Sequence, residues 1–203
     1  LTTDETNQTE GLTSFTADGY VMGSLAKLNT NAATYVGWSW KGGSTAVAGS
    51  GGGLTSLTQS VNATAGTSIV AYTGHATACD YFNHGLGVAP GLVIIKPRTT
   101  AGTDYGATVW HSLLANTEYL VLSSTAAKVT GATTFWNSTT PDSTKVTLST
   151  AAQVNANADT FVAYTFAPVE GFSKFGSYTG NGSADGPFVW CGFRPRWIMV
   201  KRI

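Results

Sequence analysis

SIVAYTGHATACDYFNHGLGVAPGLVIIKPR, residues 68–98, decides the fold, because a second version of it stands near the end of the chain. There it reads KFGSYTGNGSADGPFVWCGFRPRWIMVKR, residues 174–202. Tyr72-Thr73-Gly74 returns as Tyr178-Thr179-Gly180. Gly87, Pro90, Ile94 and Lys96 return as Gly192, Pro195, Met199 and Lys201, and Arg98 as Arg202 after the loss of one position. What recurs is turn, strand, turn, strand, the punctuation of a repeating structural module.

A second pair of stretches supports the first. Asn29 to Trp40, NTNAATYVGWSW, matches Asn155 to Phe166, NANADTFVAYTF. Here the offset is 126 residues (29 to 155), against 106 (72 to 178) or 105 (87 to 192) for the first pair. The difference lies in a Gly/Ser/Thr-rich segment that the second copy lacks. The expected order is therefore a polar acidic head (1–10), the C-terminal part of one unit (11–41), an insert or linker (42–66), a complete unit (67–171) and the N-terminal part of a further unit (172–203). A unit of about 100 residues is an ordinary domain size.

Composition narrows the function classes. Lys plus Arg number 11 and Asp plus Glu number 11, so the net charge is zero. A neutral chain offers no electrostatic attraction for nucleic acid or an anionic membrane, and no apolar run reaches transmembrane length. The basic residues near the end, Lys174, Arg194, Arg196, Lys201 and Arg202, read as a ring around a strand terminus. Charged residues are only 11% of the chain, where about 25% is usual. Gly, Ser, Thr, Ala and Asn take their place, a surface chemistry that suits extracellular fibres, coats and adhesins. There is no signal-peptide pattern, and a start at Leu1 is expected of a fragment or a processed product.

Short strands separated by turn residues run through the chain. Asp18-Gly19 sits where a tight turn belongs. Thr34–Trp40 and its counterpart Thr160–Phe166 are β-branched and aromatic, as strands are. Alternation puts Val36, Trp38 and Trp40, with Val162, Tyr164 and Phe166, on one face, expected to be the core; Tyr35 and Phe161 then face the other way. Further strands are expected at Thr67–Tyr72, Leu92–Lys96, Thr108–His111, Tyr119–Ser123, Phe135–Asn137 and Lys145–Leu148. Pro90 lacks an amide hydrogen and belongs at a strand entrance. Ser112–Asn116 offers at most one helical turn. Gly42–Gly53 is too poor in apolar side chains to organise itself and reads as a flexible loop. Its glycines do not cradle phosphate, because no helix with Lys and Ser or Thr in register follows. The fold expected is all-β: an antiparallel β-sandwich, jelly-roll or lectin-like, built from tandem or permuted repeat units.

No residue set forms a catalytic motif. His111 and Ser112 are neighbours on a strand and point to opposite faces, so they cannot act as base and nucleophile. His75, Asp80 and His84 are close enough in sequence to share a loop and bind a metal, but the matching segment of the repeat has no His. Asp104, Glu118, Asp142, Asp159 and Glu170 each stand alone, whereas a glycosidase needs two carboxylates facing across a cleft. Cys79 and Cys191 fall at non-equivalent places and cannot define a zinc site; they are expected as small, buried or half-buried side chains, with a disulfide between them as the alternative. Sequons at Asn7, Asn62, Asn137 and Asn181 matter only in a eukaryotic secretory pathway. The expectation is no catalytic residue, no cofactor and no metal.

The pieces SIVAYTG, HGLGVAPGLVIIKPR, TEYLVLSS, VNANADTFVAYTFAPVEG and FSKFGSYTGNGSADGPFVWCGFRPRWIMVKR resemble the repeat module of tail-fibre and other virion structural proteins of bacteriophages, marine ones in particular. The resemblance spans about 11–203, and YTGNG…GFRPxWxMxKR is its most specific part. It implies a virion surface protein without catalysis, either a tail fibre or appendage for host attachment or a capsid decoration. Other virion proteins, further copies of the same chain and a host-surface glycan or receptor are the implied partners, with no nucleic acid and no membrane. The alternative is an extracellular carbohydrate-binding module or adhesin outside a virus. The two incomplete units, 11–41 and 172–203, are each too small to bury their own apolar faces. They are expected either to pair with each other, placing Thr34–Trp40 and Arg196–Arg202 in one sheet, or to complete units with other chain.

Overall fold

The computed structural model describes residues 9–37, 39–43, 47–99 and 105–203. They fall into two units, one up to Trp40 and one from Lys41 to Ile203. In the first, Asp18-Gly19 turns a hairpin of β1 (Leu12–Phe15) and β2 (Tyr20–Met22), in which the Thr16 amide donates to the Gly19 carbonyl at 2.9 Å. One helical turn follows, α1 (Ala26–Asn29). Most of this unit's large apolar side chains are exposed, Phe15 and Val36 the most.

Among its described residues the second unit carries ten strands and one short helix: β3 (Val47–Ala48), β4 (Gly51–Gly52), β5 (Thr55–Asn62), β6 (Thr67–Thr73), β7 (Asp80–Asn83), β8 (Leu92–Pro97), β9 (Thr108–His111), β10 (Leu120–Val121), β11 (Lys145–Leu148), α2 (Ala152–Asn155) and β12 (Thr160–Phe166). Seven strands make one sheet in the order β10-β9-β8-β12-β6-β5-β3, and three make another in the order β11-β7-β4. Every pairing among the described residues is antiparallel. The fold is thus all-β and sandwich-like, as the alternation predicts. Val70, Tyr72, Val93, Ile95, Phe161 and Ala163 of the large sheet share one core with Phe82, Val146 and Leu148 of the small one. The larger of these side chains each contribute about 1.5–3 kcal/mol by leaving water.

The centre of the large sheet is β12. It pairs with β6 over Thr160↔Thr73 to Phe166↔Thr67, and with β8 over Phe161↔Pro97 to Phe166↔Leu92. Pro97 is tolerated as the last residue of β8 because the β9 ladder has already ended at Ile95↔Thr108, leaving that side unpaired.

The core face of β12 is the reverse of the one expected. Phe161, Ala163 and Thr165 are fully buried, while Val162, Tyr164 and Phe166 are half-buried or exposed. Alternation fixes that two faces exist; which one is core depends on the neighbours. Ala163 lies in register with Val70 and Ile95, both inaccessible to solvent, and Phe161 stacks on Tyr72 with ring centroids 5.1 Å apart. Both faces of this strand carry apolar residues, so its own sequence does not choose.

Other expectations are corrected. Neither 34–37 nor 39–40 is strand, Val36 and Trp40 are exposed, and Trp38 lies outside the described residues. Residues 174–203 contain no strand, so Arg196–Arg202 is not the strand expected of it. Phe135 and Trp136 are buried, but they stand in a turn, with Asn137 and Ser138 at positive φ, and not in a strand. Gly42–Gly53, read as a flexible loop, contains β3 and β4, and the wider insert also contains β5. Strand β5, largely polar, pairs along β6 and so satisfies a backbone edge that would otherwise be open. Apolar content was the wrong test for a half-exposed strand.

Candidate functional site

A buried, multiply hydrogen-bonded polar group lies at the start of β7. Asp80 is buried, and its Oδ2 accepts from Asn155 Nδ2 at 2.8 Å and from the Thr77 amide at 3.2 Å. Asn155, at the end of α2, also donates to the carbonyls of Ser149 and Thr77, and its Oδ1 accepts from the His75 amide. The other carboxylate oxygen faces His75 Nδ1 at 3.5 Å, with His75 half exposed. Gly53, at φ +78°, presses its backbone on this oxygen: a β-carbon there would lie 1.7 Å from Asp80 Oδ1. These contacts hold the 74–80 loop, in which Ala76 and Cys79 both adopt positive φ.

His84 does not join that group. It is fully buried, its Nδ1 accepts from the Leu86 amide at 3.2 Å, and its Nε2 lies 3.0 Å from the Asp142 carbonyl oxygen. With Nδ1 an acceptor, Nε2 carries the proton and donates. Burial lowers its pKa below the usual histidine value. Both ring nitrogens are occupied, so the trio His75, Asp80 and His84 is divided between two networks. Among the described residues no three His, Cys, Asp or Glu side chains converge on one point.

The remaining candidates also serve local structure. His111 Nδ1 accepts from the Leu113 amide, and burial lowers its pKa. Glu118 pairs with Lys128 at 2.8 Å and accepts from the Ala115 amide; these bonds lower its pKa. Asp142 closes its own turn by accepting from the Thr144 hydroxyl and amide and the Lys145 amide, which brings its pKa down to about 2. Asp159 is half-buried and Glu170 exposed, while Asp104 lies outside the described residues. Cys79 and Cys191 are free thiols, and Cys79 Sγ accepts from Asn137 Nδ2.

A different surface emerges when the repeat is followed through the structure. The first unit reproduces several features of the segment before β12, 126 residues apart, although residues 138–141, the counterpart of β1, are not strand. β2 corresponds to the last three residues of β11, and α1 to α2. The turn bond Thr16 N to Gly19 O at 2.9 Å returns as Asp142 N to Lys145 O at 3.1 Å; Ala33 N to Thr30 O returns as Asp159 N to Ala156 O. Ala32 at φ 62° returns as Ala158 at φ 65°. At the other end, Gly66, Ala76 and Gly87 at positive φ have counterparts Gly171, Gly182 and Gly192 at positive φ.

Several turns recur, but the strands and the burial do not. Tyr72, Val93 and Ile95 are 2%, 0% and 0% exposed, whereas their counterparts Tyr178, Ile198 and Val200 are 51%, 69% and 61% exposed. In the first unit, Tyr35 and Leu28 are exposed where Phe161 and Val154 are fully buried. The chain therefore exposes, at two places, residues whose sequence counterparts line the inner face of its sandwich. The offset of 126 was readable in the sequence; that the copies differ in burial was not.

Fold and surface together define an all-β, antiparallel sandwich module carrying exposed partial copies of itself. The chain belongs to the family described as "Domain of unknown function (DUF7483)", whose model matches residues 1–203. No curated protein and no solved structure matches the chain.

Proposed function

We propose that this chain is a structural, non-enzymatic module on the surface of a bacteriophage virion, in a tail fibre or appendage that contacts the host or in a capsid decoration. One observation carries the reading: sandwich-core residues are repeated in exposed form at Tyr178, Ile198 and Val200, as suits a module built to join others of its kind. The resemblance of YTGNG…GFRPxWxMxKR to phage fibre repeats and the sparse charge support it. So does the engagement of the candidate acids and histidines in local structure. Mass spectrometry of purified particles tests it, with immunogold labelling to find the position. Peptides of this chain recovered in many copies per particle are expected; their absence from particles made by cells expressing the chain overturns the proposal.

A second reading is a carbohydrate-binding module or adhesin, favoured by exposed Trp40 and Trp190, 53% and 69% accessible. Aromatic faces of this kind stack on sugar rings. A glycan array decides it: binding lost in Trp190→Ala supports the reading, and an empty array removes it.

A further inference from the structure

We infer that Asn181 is a site of spontaneous covalent modification. The Gly182 amide nitrogen attacks its side chain, Asn181 becomes aspartate or isoaspartate, and the 181–185 loop is freed. Asn181-Gly182 is the one Asn-Gly pair in the sequence. Both residues are exposed, and Gly182 stands at φ +67° with nothing within 4 Å of the place a β-carbon would take. A residue without a β-carbon lets its nitrogen close on the preceding side chain at the least steric cost. Among the described residues of the second unit, no backbone carbonyl accepts from the Gly182 amide, so its proton is open to hydroxide.

The side chain is already posed for this attack. Asn181 Oδ1 accepts from the Ser183 amide at 3.0 Å, which folds the carboxamide back over Gly182. The same donor is aimed at the oxygen on which negative charge develops when nitrogen adds to Cγ. Asn181 Nδ2 donates to the Asp185 carbonyl at 3.0 Å, and Ser183 Oγ accepts from the Asp185 amide at 3.2 Å. Exposure of the loop does not depend on the lack of strands in the tail. Its counterpart in the complete unit, residues 75–79, is exposed throughout, although Tyr72 and Asp80 beside it are buried. The residue at positive φ there is Ala76, at 56°.

The step balances with water alone. Hydroxide takes the Gly182 amide proton, the nitrogen bonds to Asn181 Cγ, and the Cγ–Nδ2 bond breaks as Nδ2 takes a proton and leaves as ammonia. The succinimide ring is then opened by water. Attack at Cγ leaves aspartate in an ordinary backbone; attack at the backbone carbonyl leaves isoaspartate, with the chain routed through Cγ. No group is oxidised or reduced. Either product replaces the Nδ2 donor by oxygen, which the Asp185 carbonyl repels, so the bond across the loop is lost. A negative charge also enters residues 172–203, which hold five basic residues and one acid, Asp185. The inference does not rest on the virion assignment.

Asn157-Ala158 provides a comparison inside the molecule. It is exposed and Ala158 also stands at positive φ, 65°, but Ala158 has a β-carbon and its amide donates to the Gly74 carbonyl at 3.0 Å. The test ages the whole folded chain in heavy-oxygen water at mildly alkaline pH and maps its peptides by mass spectrometry. Asn181 is expected to exchange its amide nitrogen for one labelled oxygen, as aspartate and isoaspartate. It should do so at least about tenfold faster than Asn157, a barrier difference of about 1.4 kcal/mol. Gly182→Ala, which has room for its methyl group, should slow the conversion by a similar factor. Hydrogen exchange across 181–185 should be faster in the aged chain than in the fresh one, and faster likewise in Asn181→Asp. Four results would each overturn the inference: Asn181 converting no faster than Asn157, Gly182→Ala converting as fast as the parent, conversion only in urea-unfolded chain, or an aged loop that exchanges no faster.

Discussion

Asn155 Nδ2 donates to Asp80 Oδ2 at 2.8 Å, joining two buried side chains 75 residues apart. The bond ties α2 to the start of β7, and the same amide group holds two carbonyls as well. Asn155→Ala removes these partners and leaves a buried carboxylate short of donors. A loss of about 2–3 kcal/mol is expected, since leaving a buried acceptor without its donor costs about 1–3 kcal/mol, more where it is charged, and Asp80 keeps the Thr77 amide. Urea denaturation with an unchanged m-value checks it; a loss below about 1 kcal/mol would show that the hub does not hold the loop.

His84 makes stability fall in mild acid. Its folded pKa is lowered by burial, so the native state favours the neutral ring. That contribution is complete above the unfolded value of about 6.5 and is lost as pH falls through the lower folded value. Protonation would also set a new Nδ1–H against the Leu86 amide that this nitrogen now accepts from. Asp142, at about 2 in the folded state, has the same sign at lower pH: its contribution fades between the normal carboxylate value and about 2. Thermal melts should therefore decline in two stages, and His84→Asn should remove the first while leaving the second.

Gly91 is a packing constraint and not a turn requirement. A β-carbon there would lie 2.4 Å from Phe175 Cδ2, and Phe175 meets the His111 ring edge-on at 6.3 Å. Gly91→Ala must move that ring. Overpacking of this kind costs about 1–3 kcal/mol, and calorimetry should show the melting temperature fall. If it rises instead, Phe175 was free to swing away, and the gain reflects the smaller freedom of alanine in the unfolded chain.

Much of this was readable from residues. Thr160–Phe166, Leu92–Lys96, Lys145–Leu148 and Thr108–His111 declare themselves by β-branched and aromatic content, and Asp18-Gly19 by its turn chemistry. Strand β5 did not, because a largely polar strand at half exposure carries no apolar stripe to detect. The direction of β12 was hidden for the opposite reason, with Phe161 and Ala163 on one side and Val162 and Tyr164 on the other all apolar enough for a core. The exposed tail shows the further limit. Residues 174–202 have the sequence of a strand pair, yet a strand exists only beside another strand, and the partner is not named in the stretch itself.

That limit yields the sharpest comparison, between Phe82 and Phe188. At the 106-residue offset set by Tyr72-Thr73-Gly74 they are counterparts, but Phe82 is 0% exposed and Phe188 85%. Phe82 stacks on Tyr72, centroids 5.5 Å apart, inside the sandwich. Phe82→Ala removes that ring from a closed core and should cost about 3–5 kcal/mol. Phe188→Ala in dilute solution removes a ring already in water and should change stability by no more than about 0.5 kcal/mol. Identical residues in equivalent places of a repeat would then differ roughly tenfold in their stability cost, through burial alone. Paired urea titrations of the two variants at low concentration make the comparison. If Phe188→Ala approaches the cost of Phe82→Ala, the tail is packed in the isolated chain, and the exposure of its core-type residues does not describe the molecule in solution.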